Sequence, residues 1–299
     1  MHAYHASFGS EGKACAVKMK GANAAEKKPS EHSVLPSPAM TDVVQRATSL
    51  AKIIGETDMA TGALQGMNVV VIGGTSGIGL ATALGASALG ANVWAAGRSA
   101  AHIEKATAAG AGRIKVVSVD THDEAALKAL FAEVGVIDHL VSAATGGSRT
   151  LKPFLEQTED QFKDAFGKLW GYAKVVRTGA PFMAKTGSIT LVSGAPARKI
   201  KANSSALSCV GASVETLVRC LASEMAPIRV NVVSPGIIDT ALFDWMGDAR
   251  AERVAAMVKG QLVERVGRPE EVASALLYLM QNGYATGTTV DVDGGQLLR

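Results

Sequence analysis

Residues 69–79 read VVVIGGTSGIG, and no other stretch limits the fold as tightly. Val69, Val70, Val71 and Ile72 are consecutive and β-branched, the composition of a strand buried on both faces. Glycines follow at once, at Gly73, Gly77 and Gly79, and GIGLATALGASALG (77–90) then has helix composition. A buried strand that turns sharply into a helix aims backbone N–H groups and the positive end of a helix dipole at one point. Positions without a side chain let a pyrophosphate approach that backbone. Thr75, Ser76 and Ile78 complete the turn and join the three glycines as expected nucleotide contacts.

The rest of the chain repeats the alternation. Apolar runs at 67–73, 91–97, 114–120, 136–144, 187–194, 227–236 and 288–295 predict strands. Helices are predicted over 77–90, 100–109, 123–134, 158–183, 206–226 and 269–281. This rhythm predicts an α/β fold, a doubly wound parallel sheet of Rossmann type, forming one domain over 66–299. Residues 1–39 are rich in Ala, Gly, Ser, Lys and Pro and bury too little to offset ordering entropy, so they read as a flexible tail. Residues 40–65 read as a helix and linker. Within 41–55, Val43, Val44, Ala47, Leu50, Ala51 and Ile54 share one face, and Thr41 or Asp42 serves as cap.

Composition narrows the function. Net charge is +3, and no basic stripe with interleaved aromatics is present, so nucleic acid is not an expected partner. Three cysteines (Cys15, Cys209, Cys220) and six histidines show no metal-ligand spacing, so no metal is expected. The odd, sparse thiols point to a reducing compartment, taken as cytoplasmic. Organelle targeting by the N-terminal extension stays open: it holds Lys13, Lys18 and Lys20, yet its first arginine is Arg46 and it carries Glu11, Glu26 and Glu31. No apolar stretch reaches the ~18 residues of a membrane span, and none is expected.

The second strand ends in AAGRSA. An NAD-preferring enzyme usually carries an acid there, bonding the ribose 2′-hydroxyl. Arg98 and Ser99 stand there instead, and a guanidinium suits a 2′-phosphate. The expected cofactor is NADP(H).

With these motifs in place, the chain from about residue 67 to 299 resembles the short-chain dehydrogenase/reductase family. Asp120, with Thr121 beside it, matches the family's acid at the adenine edge. VSPGIIDT (233–240) matches the segment after the sixth strand, which places Pro235, Gly236, Ile238 and Thr240 at the nicotinamide end. VGRPEEVASALLYLM and TGTTVDVDGG match the family's last helix and strand. There are departures. Ile72 replaces a Thr, and the family's Asn-Asn-Ala-Gly reads Ser142-Ala143-Ala144-Thr145, where Ala143 and Ala144 still permit close cofactor approach.

The larger departures concern catalysis. The family uses Ser, Tyr and Lys with a supporting Asn. Aligned on LASEMAPIRVNVVSPG, those positions fall on Gly194, Leu207, Gly211 and Lys168. The segment ALSCVGASVE (206–215) keeps an apolar face at Val210, Val214, Leu217, Val218 and Leu221 but has lost its proton-transfer groups. Tyr172 and Tyr278 lie on other helices. Lys168 has the reach to enter the vacated space, where an ammonium can donate a proton or stabilise an oxyanion. Ser193 is the candidate for holding a substrate oxygen. Arg149, Arg198, Lys199 and Lys201 are expected as solvated charge on loops at the cleft mouth, and Cys209 as a small buried filler. Phe243, Trp170 and Trp245 wall the pocket or fill the core, and 240–265 is expected to form a substrate lid.

The resemblance implies an NADP(H)-dependent oxidoreductase acting on a small organic carbonyl, alcohol or imine, with non-standard catalytic residues. Two alternatives stand beside it: an NADP(H)-binding protein without redox turnover, and a non-redox isomerase or cyclase. The family also implies a homo-oligomer, dimer or tetramer, joined through the helices of 158–183 and 206–226.

Overall fold

The computed structural model describes residues 62–146 and 150–299. The tail expected over 1–39, the helix over 41–55 and Arg149 lie outside the described residues.

Seven strands form one parallel sheet in the order β3-β2-β1-β4-β5-β6-β7: Asn68–Ile72 (β1), Asn92–Gly97 (β2), Lys115–Ser118 (β3), Ile137–Ser142 (β4), Met183–Val192 (β5), Arg229–Pro235 (β6) and Thr289–Val292 (β7). The chain runs outward from β1 to β3, then returns so that β4 pairs with β1 on its other side, Ile72 lying opposite Ser142. A reversal of this kind opens a crevice beyond the carboxyl ends of β1 and β4. The glycine turn of 73–77 leaves β1 at that end.

The uninterrupted apolar run of β1 follows from burial on both faces, since successive side chains point to opposite sides. Val70 and Ile72 pack with Trp94, Leu140, Leu127, Phe131, Tyr172 and Val218. Val69 and Val71 pack on the other face with Ala83, Ala86, Leu276 and Leu279. The covering helices are Gly77–Ala88 (α1), Ala100–Gly110 (α2), Glu124–Val134 (α3), Glu159–Ala165 (α4), Gly167–Gly179 (α5), Ser205–Glu224 (α6), Arg250–Val258 (α7) and Pro269–Gln281 (α8).

The helix expected over 158–183 is two helices. Thr158 opens α4 with a capping box to Gln161, and α5 stops at Gly179 because Pro181 cannot continue a helix. The strand expected from 187 therefore begins earlier, at Met183. The segment 240–265 forms a 3-10 stretch, Ala241–Ala249, followed by α7, with Arg250 bonded to Asp239 at 2.5 Å. One described helix, α6, is long and apolar enough to cross a membrane, with a mean hydropathy of 1.3. Its Val214 and Val218 are fully buried in the core of this domain, and it carries the buried acid Glu215.

Candidate active site

The glycine turn is closed to side chains. Gly73 has φ +81°, and a methyl placed on it would lie 2.5 Å from the Ala144 nitrogen. A methyl on Gly79 would lie 2.0 Å from the Gly73 carbonyl oxygen. The turn thus rests on the backbone of Ala143–Ala144, where the Ala143 N–H donates to the Ile72 carbonyl at 2.8 Å. Ser76 begins α1 without a side-chain cap bond, and the first turn of α1 carries no acid. The N-terminal N–H groups and dipole of α1 therefore meet no competing carboxylate and can hold an anion.

Neighbouring elements converge on the same turn. Thr75 is buried and fills the space beside Gly97, tying the turn to the end of β2. Gly77 faces Thr240, whose Cγ2 would lie 3.1 Å from a methyl there. Ile78 is partly buried and packs against the core cluster on this face of the sheet.

The rim beyond β2 and β3 is charged. Arg98 Nη1 lies 3.4 Å from Asp120 Oδ2, with side chains 65% and 40% exposed. The backbone N–H of His122 donates to Asp120 at 2.9 Å; this bond, joined by Arg98 and opposed by partial burial, holds the Asp120 carboxyl below its ordinary value. Ser99 begins α2 without a side-chain cap bond. Thr121 is buried, packed against Gly171 of α5. Pro235 ends β6, Gly236 N–H donates to the Val292 carbonyl, and Ile238 turns into the core. The crevice therefore has an uncapped helix end, closed glycines and an exposed guanidinium, a set that can hold a phosphorylated dinucleotide.

A methyl on Gly211 of α6 would lie 2.9 Å from Ala197 Cβ and 3.3 Å from its Cα, so the turn after β5 packs directly on α6 at this position. Lys168, near the start of α5, reaches across: its Nζ donates to the Ser193 carbonyl at 3.2 Å and lies 5.4 Å from the Tyr172 ring centroid. Tyr172 is 1% exposed and donates its hydroxyl to the Val192 carbonyl at 3.1 Å. Burial pushes its phenol well above the ordinary range, and it serves the core. Tyr278 stands on α8, away from this site.

Ser193 is buried at the end of β5. Its hydroxyl donates to the Gly211 carbonyl at 3.1 Å and lies 3.4 Å from Glu215 Oε1. Sequence reasoning missed Glu215, which is 5% exposed. Arg198 is exposed, as expected for solvated charge, but its pairing was missed. Arg198 bonds Glu215 through Nε at 3.3 Å and grips both carboxylate oxygens of Asp291. The signal available was an acid on the apolar face of α6, one turn beyond Gly211. Cys209 is exposed on the outer side of α6, contrary to the expected buried filler. Trp170 and Trp245 are 67% and 71% exposed, whereas Phe243 is buried.

Comparison with known proteins fits this geometry. Residues 72–296 match a family described as enoyl-(acyl carrier protein) reductase. The chain is 35% identical over 252 residues to the short-chain dehydrogenase/reductase ATR9 of Stachybotrys chlorohalonatus, covering 79% of this chain and 99% of that protein. The chain belongs to the short-chain dehydrogenase/reductase family. This short-chain dehydrogenase/reductase is 33% identical to a small-chain dehydrogenase crystallised with NADPH, with a TM-score of 0.68, covering 79% of this chain and 100% of that one. It is 32% identical to the MalC reductase/Diels-Alderase of Malbranchea aurantiaca, with a TM-score of 0.73 and coverage of 79% and 98%.

Proposed function

We propose that this protein is an NADP(H)-dependent oxidoreductase acting on a small organic carbonyl, alcohol or imine, with Lys168 in the proton-handling role. The observation that carries the reading is the glycine turn backed onto Ala143–Ala144, where Gly73 and Gly79 leave no room for a side chain. The backbone from Gly73 to Gly79, with Thr75 and Ser76, would hold the pyrophosphate. Arg98 and Ser99 would take the 2′-phosphate, and Asp120 and Thr121 the adenine edge. Ala143, Ala144, Pro235, Gly236, Ile238 and Thr240 would border the nicotinamide. When bound there, NADPH supplies a hydride.

The chain's own part is to orient substrate and to deliver a proton. Lys168 donates it from Nζ to a substrate oxygen or nitrogen. Ser193 contributes through its carbonyl, which holds that ammonium, because its hydroxyl hydrogen is directed at Gly211. Loss of a tuned acid costs about 10²- to 10⁴-fold in rate, which an activated substrate such as an iminium or conjugated carbonyl tolerates. The proposal includes a homo-oligomer formed through α5 and α6, where Trp170 is exposed, and a cytoplasmic setting.

A second reading has specific support. The similarity to a protein described as a reductase/Diels-Alderase, together with the missing Tyr and Lys, fits cyclisation in the same cleft. The test is incubation of the protein and its Lys168→Met variant with NADPH and a panel of reactive carbonyls and imines. Absorbance loss at 340 nm that disappears in Lys168→Met, with NADPH affinity within about twofold, supports reduction through Lys168. Product formed without net cofactor consumption supports cyclisation. Tight NADPH binding with neither outcome assigns the protein a binding role instead.

A further inference from the structure

The turn that packs on Gly211 is itself tied down. Arg198 leaves this turn and bonds Glu215 on α6 and Asp291 near the end of β7, so one guanidinium joins three elements. Its planar fork matches the Asp291 carboxylate at two points while Nε remains for Glu215. Glu215 is 5% exposed, and Arg198 is the cation it is paired with. Ser193 is fixed from the same side, its hydroxyl directed at the Gly211 carbonyl and Glu215. The Ser193 N–H donates to the Val233 carbonyl at 2.9 Å, leaving its peptide little freedom. The carbonyl of this residue receives the ammonium of Lys168.

We propose that Arg198 and Glu215 are positioning residues for Lys168, an ion-pair brace buried at its carboxylate and open to solvent at its guanidinium, which acts through Ser193 and takes the place of the family's lysine on α6. The inference rests on the reading of Lys168 given above. The brace and Gly211 depend on each other: a side chain at 211 would push Ala197 away, and Arg198 is the next residue of that turn. Lys168 comes from α5 and meets the Ser193 carbonyl and the Tyr172 ring. The setting of that carbonyl thus bears on the aim of its ammonium.

The experiment uses the full chain with NADPH, in three variants: Glu215→Gln, Arg198→Lys and Asp291→Asn. Each is treated with a limiting amine-acylating reagent, and the rate at Lys168 is compared by mass spectrometry with the rate at exposed Lys163. Releasing an ammonium from a carbonyl, and removing a nearby negative charge, both increase the free-amine fraction. Acylation of Lys168 relative to Lys163 should therefore rise at least about threefold in Glu215→Gln and Asp291→Asn, with NADPH affinity unchanged. Arg198→Lys keeps the charge but loses the fork, and should show a smaller rise. Asp291 is partly exposed, so Asp291→Asn keeps the test alive if Glu215→Gln does not fold. An unchanged Lys168-to-Lys163 ratio in variants that melt cooperatively overturns the brace. A role in stability alone would lower Tm without altering that ratio. Turnover that survives Lys168→Met would sink the assignment of Lys168 as acid, and leave the acylation result to judge the brace.

Discussion

At the scale of single residues, the proposed function gives the guanidinium of Arg98, just beyond β2, the task of holding the 2′-phosphate. Arg98 is 65% exposed and its recorded partner, Asp120, is itself half open to solvent. An exposed pair of this kind contributes little to stability, so the arginine can turn toward a phosphate at small cost. Arg98→Gln should weaken NADPH binding about 10- to 100-fold, the range of one to two charge-assisted hydrogen bonds, and leave NADH binding nearly unchanged. Fluorescence titration of both coenzymes measures this, and equal losses for the two would remove Arg98 from phosphate recognition. The places of Arg98, Gly73 and Gly79 at the ends of β2 and β1 and the start of α1 were legible in the sequence because their neighbours along the chain define those elements. Arg198 and Glu215 were not. The Arg198–Asp291 pair spans 93 positions and joins the turn after β5 to β7, so no local spacing announces it.

Among the elements, α6 shows how packing overrides propensity. An alanine in a helix interior is favoured over glycine by about 1 kcal/mol. At position 211 the new methyl would meet Ala197 Cβ at 2.9 Å and backbone atoms at 3.3 Å. Overpacking of that kind costs about 1–3 kcal/mol, so Gly211→Ala should be destabilising on balance, seen as a lower urea midpoint at constant slope. A midpoint that rises would show that the turn has room to move. The same contact predicts that the double change Leu207→Tyr and Gly211→Lys leaves turnover no higher. The apolar face of α6 was readable from its 3.6-residue period, and so were all seven strands. The break between α4 and α5 was not, because it falls at Phe166–Gly167, inside a continuous helical pattern with no proline to mark it.

The whole domain responds to acid through a histidine inside the sheet. His139 of β4 is 4% exposed; its Nδ1 shares a hydrogen bond with Ser188 Oγ of β5 at 2.8 Å, and its Nε2 has no partner among the described residues. Burial, helped by the charge of Arg229 and opposed by Asp138, lowers its pKa from 6.5 to about 4. The unfolded chain therefore binds this proton more readily than the folded one. Stability is fully present above pH 6.5 and is lost as pH falls toward about 4, with no further change from this group below that. The loss is on the order of 3 kcal/mol over the window. Urea unfolding between pH 7 and pH 5 should show the decline in the parent protein and a flatter profile in His139→Gln. Parallel profiles would mean that the ring is already solvated.

The return of the chain from β3 to β4 has a further consequence, for biosynthesis. β1 leaves the ribosome early, yet its second flank stays bare until β4 arrives; the bond from Asn68 N–H to Asp138 closes a gap of 70 residues. At ordinary translation speeds that interval is on the order of several seconds. Throughout it the sticky valines of β1 have one open edge, and a nascent chain paused there is the form most in need of a chaperone.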